Sequence, residues 1–217
     1  MRKYSVLVVG VGGQGIMTIG NILKKAGQRK GWIVVGTETR GASQREGSVD
    51  NSVRYVMLDP GEERNERTSV ISPLIPMAGA DLIIALETNE ALRSAKFASG
   101  KTSVLVNLYE ILPPQAVSEK WKGATFDEVI NIMKTFSDDV RAIRANEISK
   151  NEFGDFSMSN MIMLGGALGM GKMPLSSGDI REAMEEEFGG SMPNVLKGLE
   201  IGMNEIGRTG DAGRRTG

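Results

Sequence analysis

The sequence predicts an α/β fold, a Rossmann-like, mostly parallel sheet flanked by helices, with a helical C-terminal portion. Three observations predict it. Short continuous apolar runs at 5–9, 81–86 and 102–108 read as strands buried on both faces, the pattern of a parallel sheet. A glycine-rich loop, Gly10-Val11-Gly12-Gly13-Gln14-Gly15, follows the first run at once and opens a helical pattern. The last third of the chain carries apolar residues at helical spacing between capping signals.

Taken in order, Ser5 to Val9 is the first strand. After the loop, Ile16, Ile19, Leu23 and Ala26 form the stripe of a helix packed on a sheet. Gly31 ends it, and 32–35 reads as the second strand, so the first forty residues make a βαβ unit. The stretch from Thr37 to Ser48 has no helical or strand period. Apolar residues then alternate loosely from Val49 to Met57, as in a strand at a sheet edge, and 59–68 is a charged turn. Thr88 is placed to cap a helix that runs to about Phe97. Pro113-Pro114 breaks the chain and marks a small lobe around 113–157. Within it Thr125 and Glu128 form a capping box, with Val129, Ile132, Met133 and Phe136 on one helical face. Residues 140–145 read as a strand and 158–168 as a helix. A second box, Ser176 with Asp179, starts a helix with Ile180, Met184 and Phe188 inward. The last helix follows Pro193 and turns Leu196, Leu199, Met203 and Ile206 inward. Residues 1–206 are expected to be a single α/β domain, and 207–217 a disordered tail.

Composition removes several function classes. Twenty-six Lys+Arg against 27 Asp+Glu leave a formal charge of −1, which argues against an electrostatic design for nucleic acid or anionic membrane. No apolar run approaches the ~20 residues that span a bilayer. The first residues enter a strand-like run too early for a signal peptide, so a cytoplasmic protein is expected. There is no Cys and no His. A Ser-His-Asp triad, a Cys-His dyad, an HExxH zinc site and a cysteine-ligated iron–sulfur cluster therefore have no residues to build on. No residue is assigned a catalytic or metal-binding role.

Gly10-x-Gly12-x-x-Gly15 lies where a dinucleotide fingerprint needs it, after a strand and opening a helix. Its glycines allow the turn, the approach of backbone to a phosphate, and close helix–strand packing. The helix N-terminus offers free N–H groups and partial positive charge to an anion. The same glycines also serve a fold that holds no nucleotide. A P-loop would need Lys and Ser/Thr where Ile16 and Met17 stand. An NAD site wants an acidic residue about 20 residues on, and Glu38 lies 23 past Gly15 with Arg40 close by. Gln14 either binds a ligand or ties down its own loop. Arg40 and Arg45 either bind a ligand or pair with Glu38 and Glu46.

The glycine loop is joined by a second segment, Glu38-Thr39-Arg40-Gly41-Ala42-Ser43-Gln44-Arg45-Glu46-Gly47-Ser48-Val49. Ser72-Pro73-Leu74-Ile75 and Leu86-Glu87-Thr88-Asn89-Glu90-Ala91-Leu92-Arg93 follow, with Asn107 and the 160–168 segment beyond. In this combination the sequence resembles the gamma-type subunits of 2-oxoacid:ferredoxin oxidoreductases, in particular the indolepyruvate type, over roughly 4–205. Two departures stand out: Arg40 occupies the place of a family His, and Glu46 that of a Gly.

The resemblance implies a non-cluster subunit of a complex that oxidatively decarboxylates a 2-oxoacid to an acyl-CoA and passes electrons to ferredoxin. Thiamine diphosphate and iron–sulfur clusters belong to a larger partner subunit, and the chain alone is inactive. It further implies that Gly10, Gly12, Gly13, Gln14, Gly15, Arg40, Gln44 and Arg45 face the partner's active site and handle a phosphate-bearing ligand such as coenzyme A. Arg suits that task because its planar fork matches phosphate oxygens bidentately. A homodimer of the isolated subunit is compatible with these expectations. Two alternatives remain open: another 2-oxoacid, such as pyruvate or 2-oxoglutarate, or a stand-alone Rossmann-type NAD(P) or nucleotide-binding protein.

Overall fold

A six-stranded sheet in the order β2-β3-β1-β4-β5-β6 organises the chain. The computed structural model describes residues 1–41, 47–59, 61–62, 72–111, 124–189 and 192–212, the last five of these as backbone alone. The strands are β1 (Arg2–Val11), β2 (Ile33–Arg40), β3 (Ser48–Met57), β4 (Leu82–Ala85), β5 (Ser103–Asn107) and β6 (Asp139–Ile143). Seven α-helices are described: α1 (Ile16–Arg29), α2 (Thr88–Ser94), α3 (Phe126–Lys134), α4 (Ala145–Phe153), α5 (Ser159–Gly169), α6 (Ser177–Phe188) and α7 (Met192–Ala212).

Five strands share one direction, and β3 runs against them, hydrogen-bonded to β1 on one side and β2 on the other. The segment expected at a sheet edge is therefore interior, and β2 is the edge. An interior strand must satisfy both flanks and both faces. β3 buries Val49, Asn51, Val53 and Tyr55 toward α1, and its side chains on the other face are shielded by the 72–80 segment. There the Arg54 guanidinium donates to the Ser72 and Leu74 carbonyls at 2.6 and 3.0 Å.

The apolar stripe of α1 is wholly buried: Ile16, Ile19, Leu23 and Ala26 are each at most 2 % exposed. Its core layer continues into α5, α6 and α7, while α2 and α3 cover the other face of the sheet. Helix α5 is buried all round from Met161 to Leu168 and meets α7 at backbone distance. A Cβ on Gly165 would stand 2.0 Å from the Leu199 carbonyl oxygen, and one on Gly202 would stand 1.9 Å from that of Ile162. Only glycine fits at either place.

Both capping boxes form, at Thr125 with Glu128 and at Ser176 with Asp179. Two local expectations fail. Glu87, not Thr88, caps α2; its carboxylate accepts from the Glu90 N–H, while the Thr88 hydroxyl donates to the Tyr109 carbonyl at 2.8 Å. On α3, Val129 and Met133 are buried, but Ile132 is more than 40 % exposed, because β6 and α2 cover only one narrow strip of that helix, and Phe136, equally exposed, lies past its end. Residues 124–157 add α3, β6 and α4 to the main sheet, with β6 paired to β5. Helix α7 runs through Ala212, six residues into the stretch expected to lack structure.

Candidate functional site

The carboxyl ends of β1 and β2 and the amino end of the reversed β3 meet at a cleft of about 360 Å³. Its walls are Gly12, Gly13, Gly15, Ile16 and Met17 from the glycine loop and α1, Glu38 and Arg40 from β2, and Gly47, Ser48 and Val49 leading into β3. In an α/β sheet this edge is where ligands bind.

Each residue of the loop has a distinct task. Gly10 has no room for a side chain, since a Cβ would meet Gln14 Oε1 at 2.6 Å and Leu86 at 3.1 Å. Gly12 donates its N–H to the Gly47 carbonyl at 3.0 Å, fastening the loop to the start of β3. Gly13 (φ 94°) and Gly15 (φ 80°) adopt the left-handed backbone that favours glycine. Gln14 is engaged at both ends of its side-chain amide within the protein. Its Oε1 accepts from Val11 N–H at 2.7 Å and its Nε2 donates to the Leu86 carbonyl at 3.1 Å. Of its two expected roles, the structure shows the one that ties down the loop.

The first turn of α1 has no side-chain cap and no acidic residue. The N–H groups of Gly15, Ile16 and Met17 donate to no acceptor among the described residues, so the turn lining the cleft presents donors and positive potential. Arg40 stands at the rim, 70 % exposed, with its guanidinium paired to the Glu38 carboxylate two residues earlier on the same face of β2. The arrangement offers an oxyanion backbone donors at one wall and a movable cation at the other. Gln44 and Arg45 lie outside the described residues.

Glu38 is less suited to a nucleotide ribose than its position in sequence implied. β3 intervenes between β1 and β2, so Glu38 sits two strand spacings, roughly 10 Å, from the strand that carries the glycines. Its carboxylate is also already occupied by Arg40.

The structure gives roles to residues for which the sequence offered none. Asn160, at the start of α5, closes against Gly15. Ser48 donates its hydroxyl to the buried Glu90 at 2.6 Å. Asn107 extends the Gln14 linkage: it donates to the Leu86 carbonyl at 3.1 Å and to Asn146 at 2.7 Å, and accepts from Ala145 N–H at 2.9 Å. One chain of side-chain amides therefore fixes the carboxyl ends of β1, β4, β5 and β6. Burial pushes the Glu87 carboxyl up from its ordinary value, opposed by N–H donors from Glu90 and Ile111. Among the described residues no group of three or more acidic side chains is placed to hold a metal ion.

Comparison with known proteins agrees with this fold. The profile of the pyruvate ferredoxin/flavodoxin oxidoreductase family matches residues 5–204. The chain belongs to that family, as a subunit of a ferredoxin-dependent 2-oxoacid oxidoreductase. Indolepyruvate oxidoreductase subunit IorB of Archaeoglobus fulgidus is 36 % identical over 204 residues, 94 % of this chain and 95 % of that one. Its counterpart in Methanothermobacter thermautotrophicus is 31 % identical over 186 residues, 86 % and 88 % of the two chains. The gamma subunit of a keto/oxoacid ferredoxin oxidoreductase from Geobacter sulfurreducens shares the fold at a TM-score of 0.61 and 17 % identity, over 94 % of this chain and 98 % of its own. A 2-oxoglutarate:ferredoxin oxidoreductase from Magnetococcus marinus, solved with 2-oxoglutarate, coenzyme A and succinyl-CoA, superposes on 98 % of this chain over 32 % of its own, also at 0.61 and 17 % identity.

Proposed function

We propose that the chain serves an oxidoreductase of the indolepyruvate type, acting on aryl pyruvates, and that its cleft holds the phosphate-bearing end of coenzyme A. The observation that carries the second part is the uncapped first turn of α1, free of acidic residues, lining a 360 Å³ cleft with Arg40 on its rim. Backbone donors at a helix N-terminus together with a planar guanidinium suit phosphate oxygens. The indolepyruvate assignment rests on the curated relatives, all of one name at 29–36 % identity.

Gly12, Gly13 and Gly15 of the glycine loop would contact the ligand, together with Arg40, Gln44 and Arg45. Gly10 and Gln14 hold that loop in shape. Thiamine diphosphate and the iron–sulfur clusters belong to a larger partner subunit; for the clusters, a chain without Cys has no thiolate to offer. Ferredoxin takes the electrons through the assembled complex, which works in the cytoplasm. The isolated subunit is a homodimer without activity of its own. Among the described residues no helix is long and apolar enough to cross a membrane.

The test is steady-state turnover of the assembled complex with indolepyruvate, varying coenzyme A. Arg40→Met should raise the KM for coenzyme A about ten-fold, the usual cost of losing a charge-assisted contact. An unchanged KM would remove coenzyme A from this cleft. Turnover of pyruvate or 2-oxoglutarate in preference to aryl pyruvates would overturn the substrate class.

A further inference from the structure

Asn51 lies in the middle of β3 and is completely buried between the sheet and α1. Its amide oxygen has no hydrogen-bond partner among the described residues. Its amide nitrogen reaches only the thioether sulfur of Met17, at 3.3 Å, a weak acceptor. A second destabilising choice stands directly opposite. Gly20 sits inside α1, where alanine would favour the helix, and a Cβ there would lie 2.5 Å from the Asn51 amide. An apolar residue at 51 would remove the unsatisfied group.

Both choices fall beneath the cleft. Val49, two residues earlier on the same face of β3, lines it, as does Glu38, which is paired in register with Asn51 on β2. Met17, the side chain that touches the amide, also lines it. The Asn51 amide therefore lies one side chain below the cleft floor, and that side chain is an unbranched thioether able to change rotamer.

We propose that Asn51 reads the ligand of this cleft: Met17 swings aside as the ligand enters, and the Asn51 amide oxygen accepts a hydrogen bond from a neutral hydroxyl or amide N–H of that ligand. The inference rests on the reading of the cleft as the coenzyme A site. It adds a recognition element for the uncharged part of a phosphorylated molecule, next to the donors for its anionic part. A ligand carrying phosphate alone would satisfy the first turn of α1 and leave Asn51 unmet.

The test compares Asn51→Leu, Met17→Ala and Arg40→Met. The full chain is taken through thermal unfolding, and the assembled complex through coenzyme A titration in turnover. Asn51→Leu should keep or raise the melting temperature while raising the KM for coenzyme A about ten-fold. Met17→Ala, which removes the cover, should lower that KM. If Arg40→Met raises the KM while Asn51→Leu and Met17→Ala leave it within two-fold, the Asn51 proposal is wrong and the cleft assignment stands. Should none of the three variants change it, both fall together.

Discussion

Gly15 and Asn160 meet so closely that a Cβ on the glycine would lie 2.1 Å from the asparagine amide nitrogen. The contact joins the start of α1 to the start of α5, bringing the glycine loop and the C-terminal helical layer into one rigid corner. Gly15 also has a φ of 80°. Gly15→Ala should therefore lose stability twice, once to the left-handed backbone (about 1–2 kcal/mol) and once to the clash. The double variant Gly15→Ala/Asn160→Ala should recover the clash but not the backbone cost. Chemical denaturation of the four proteins in the cycle checks this, and a purely additive result would show that the two residues do not touch.

Gln14 spans two strands, holding the Val11 N–H with one end and the Leu86 carbonyl with the other. In Gln14→Leu the Leu86 carbonyl keeps its bond from Asn107, but the Val11 N–H loses its acceptor. An abandoned buried donor costs about 1–3 kcal/mol. Amide hydrogen exchange should show faster exchange at Val11 and little change on β5. Protection at Val11 equal to wild type would mean that another acceptor takes over.

Asp50 is half-buried on β3. Burial first, and the nearby Glu90 second, push its carboxyl up from the ordinary 3.8, while Lys96 and Arg93 pull it down. A raised folded-state value means that the native chain holds this proton more tightly than the unfolded chain. Its contribution is fully present below the ordinary value and is lost as pH climbs through the raised one. Asp50→Asn should accordingly melt higher than wild type at pH 7, with the difference closing at about pH 4 and below. Equal melting temperatures at both pH values would contradict the assignment.

Arg29 on α1 reaches Glu182 and Glu186 on α6, and Lys25 reaches Glu187 at 2.7 Å. These pairs lie in solvent. Arg29→Met should lower the melting temperature by no more than about 3 °C at low salt. The difference should vanish near 0.5 M sodium chloride, where screening acts over a few ångströms. A larger, salt-independent loss would show that the guanidinium acts through packing.

Much of the fold was legible because its signals are local. The Ser5–Val9 run, the glycine loop and the stripe of Ile16, Ile19, Leu23 and Ala26 lie within one stretch, and each is decided by short-range sterics and burial. Both capping boxes were readable for the same reason. The place of β3 was not, because strand order depends on partners far along the chain, and alternation along a strand looks the same at an edge and in the interior. Helix α4 was missed because it buries Ala145, Asn146 and Ser149, so its inner face carries no apolar stripe.

The candidate site divides in the same way. Glycines announce themselves, and Arg40 stood in a recognisable segment. Met17 lies off the buried stripe of α1 with nothing to mark it, and Asn51 reads as one polar residue in a loosely alternating strand.

The reversed strand also bears on how the sheet assembles. β2 and β3 pair across short separations, beginning at Arg40 with Val49, so their hairpin closes cheaply. β1 has no such local partner. It bonds β3 from Val11 with Ser48 out to Arg2 with Met57, and bonds β4 on its other flank. Made before either by the ribosome, β1 must wait unpaired until β3 has emerged through Met57, and its insertion between two later strands is complete only once Ala85 has followed. The glycine loop at its end takes shape only with that insertion, so long-range closure sets the pace at which the cleft comes into being.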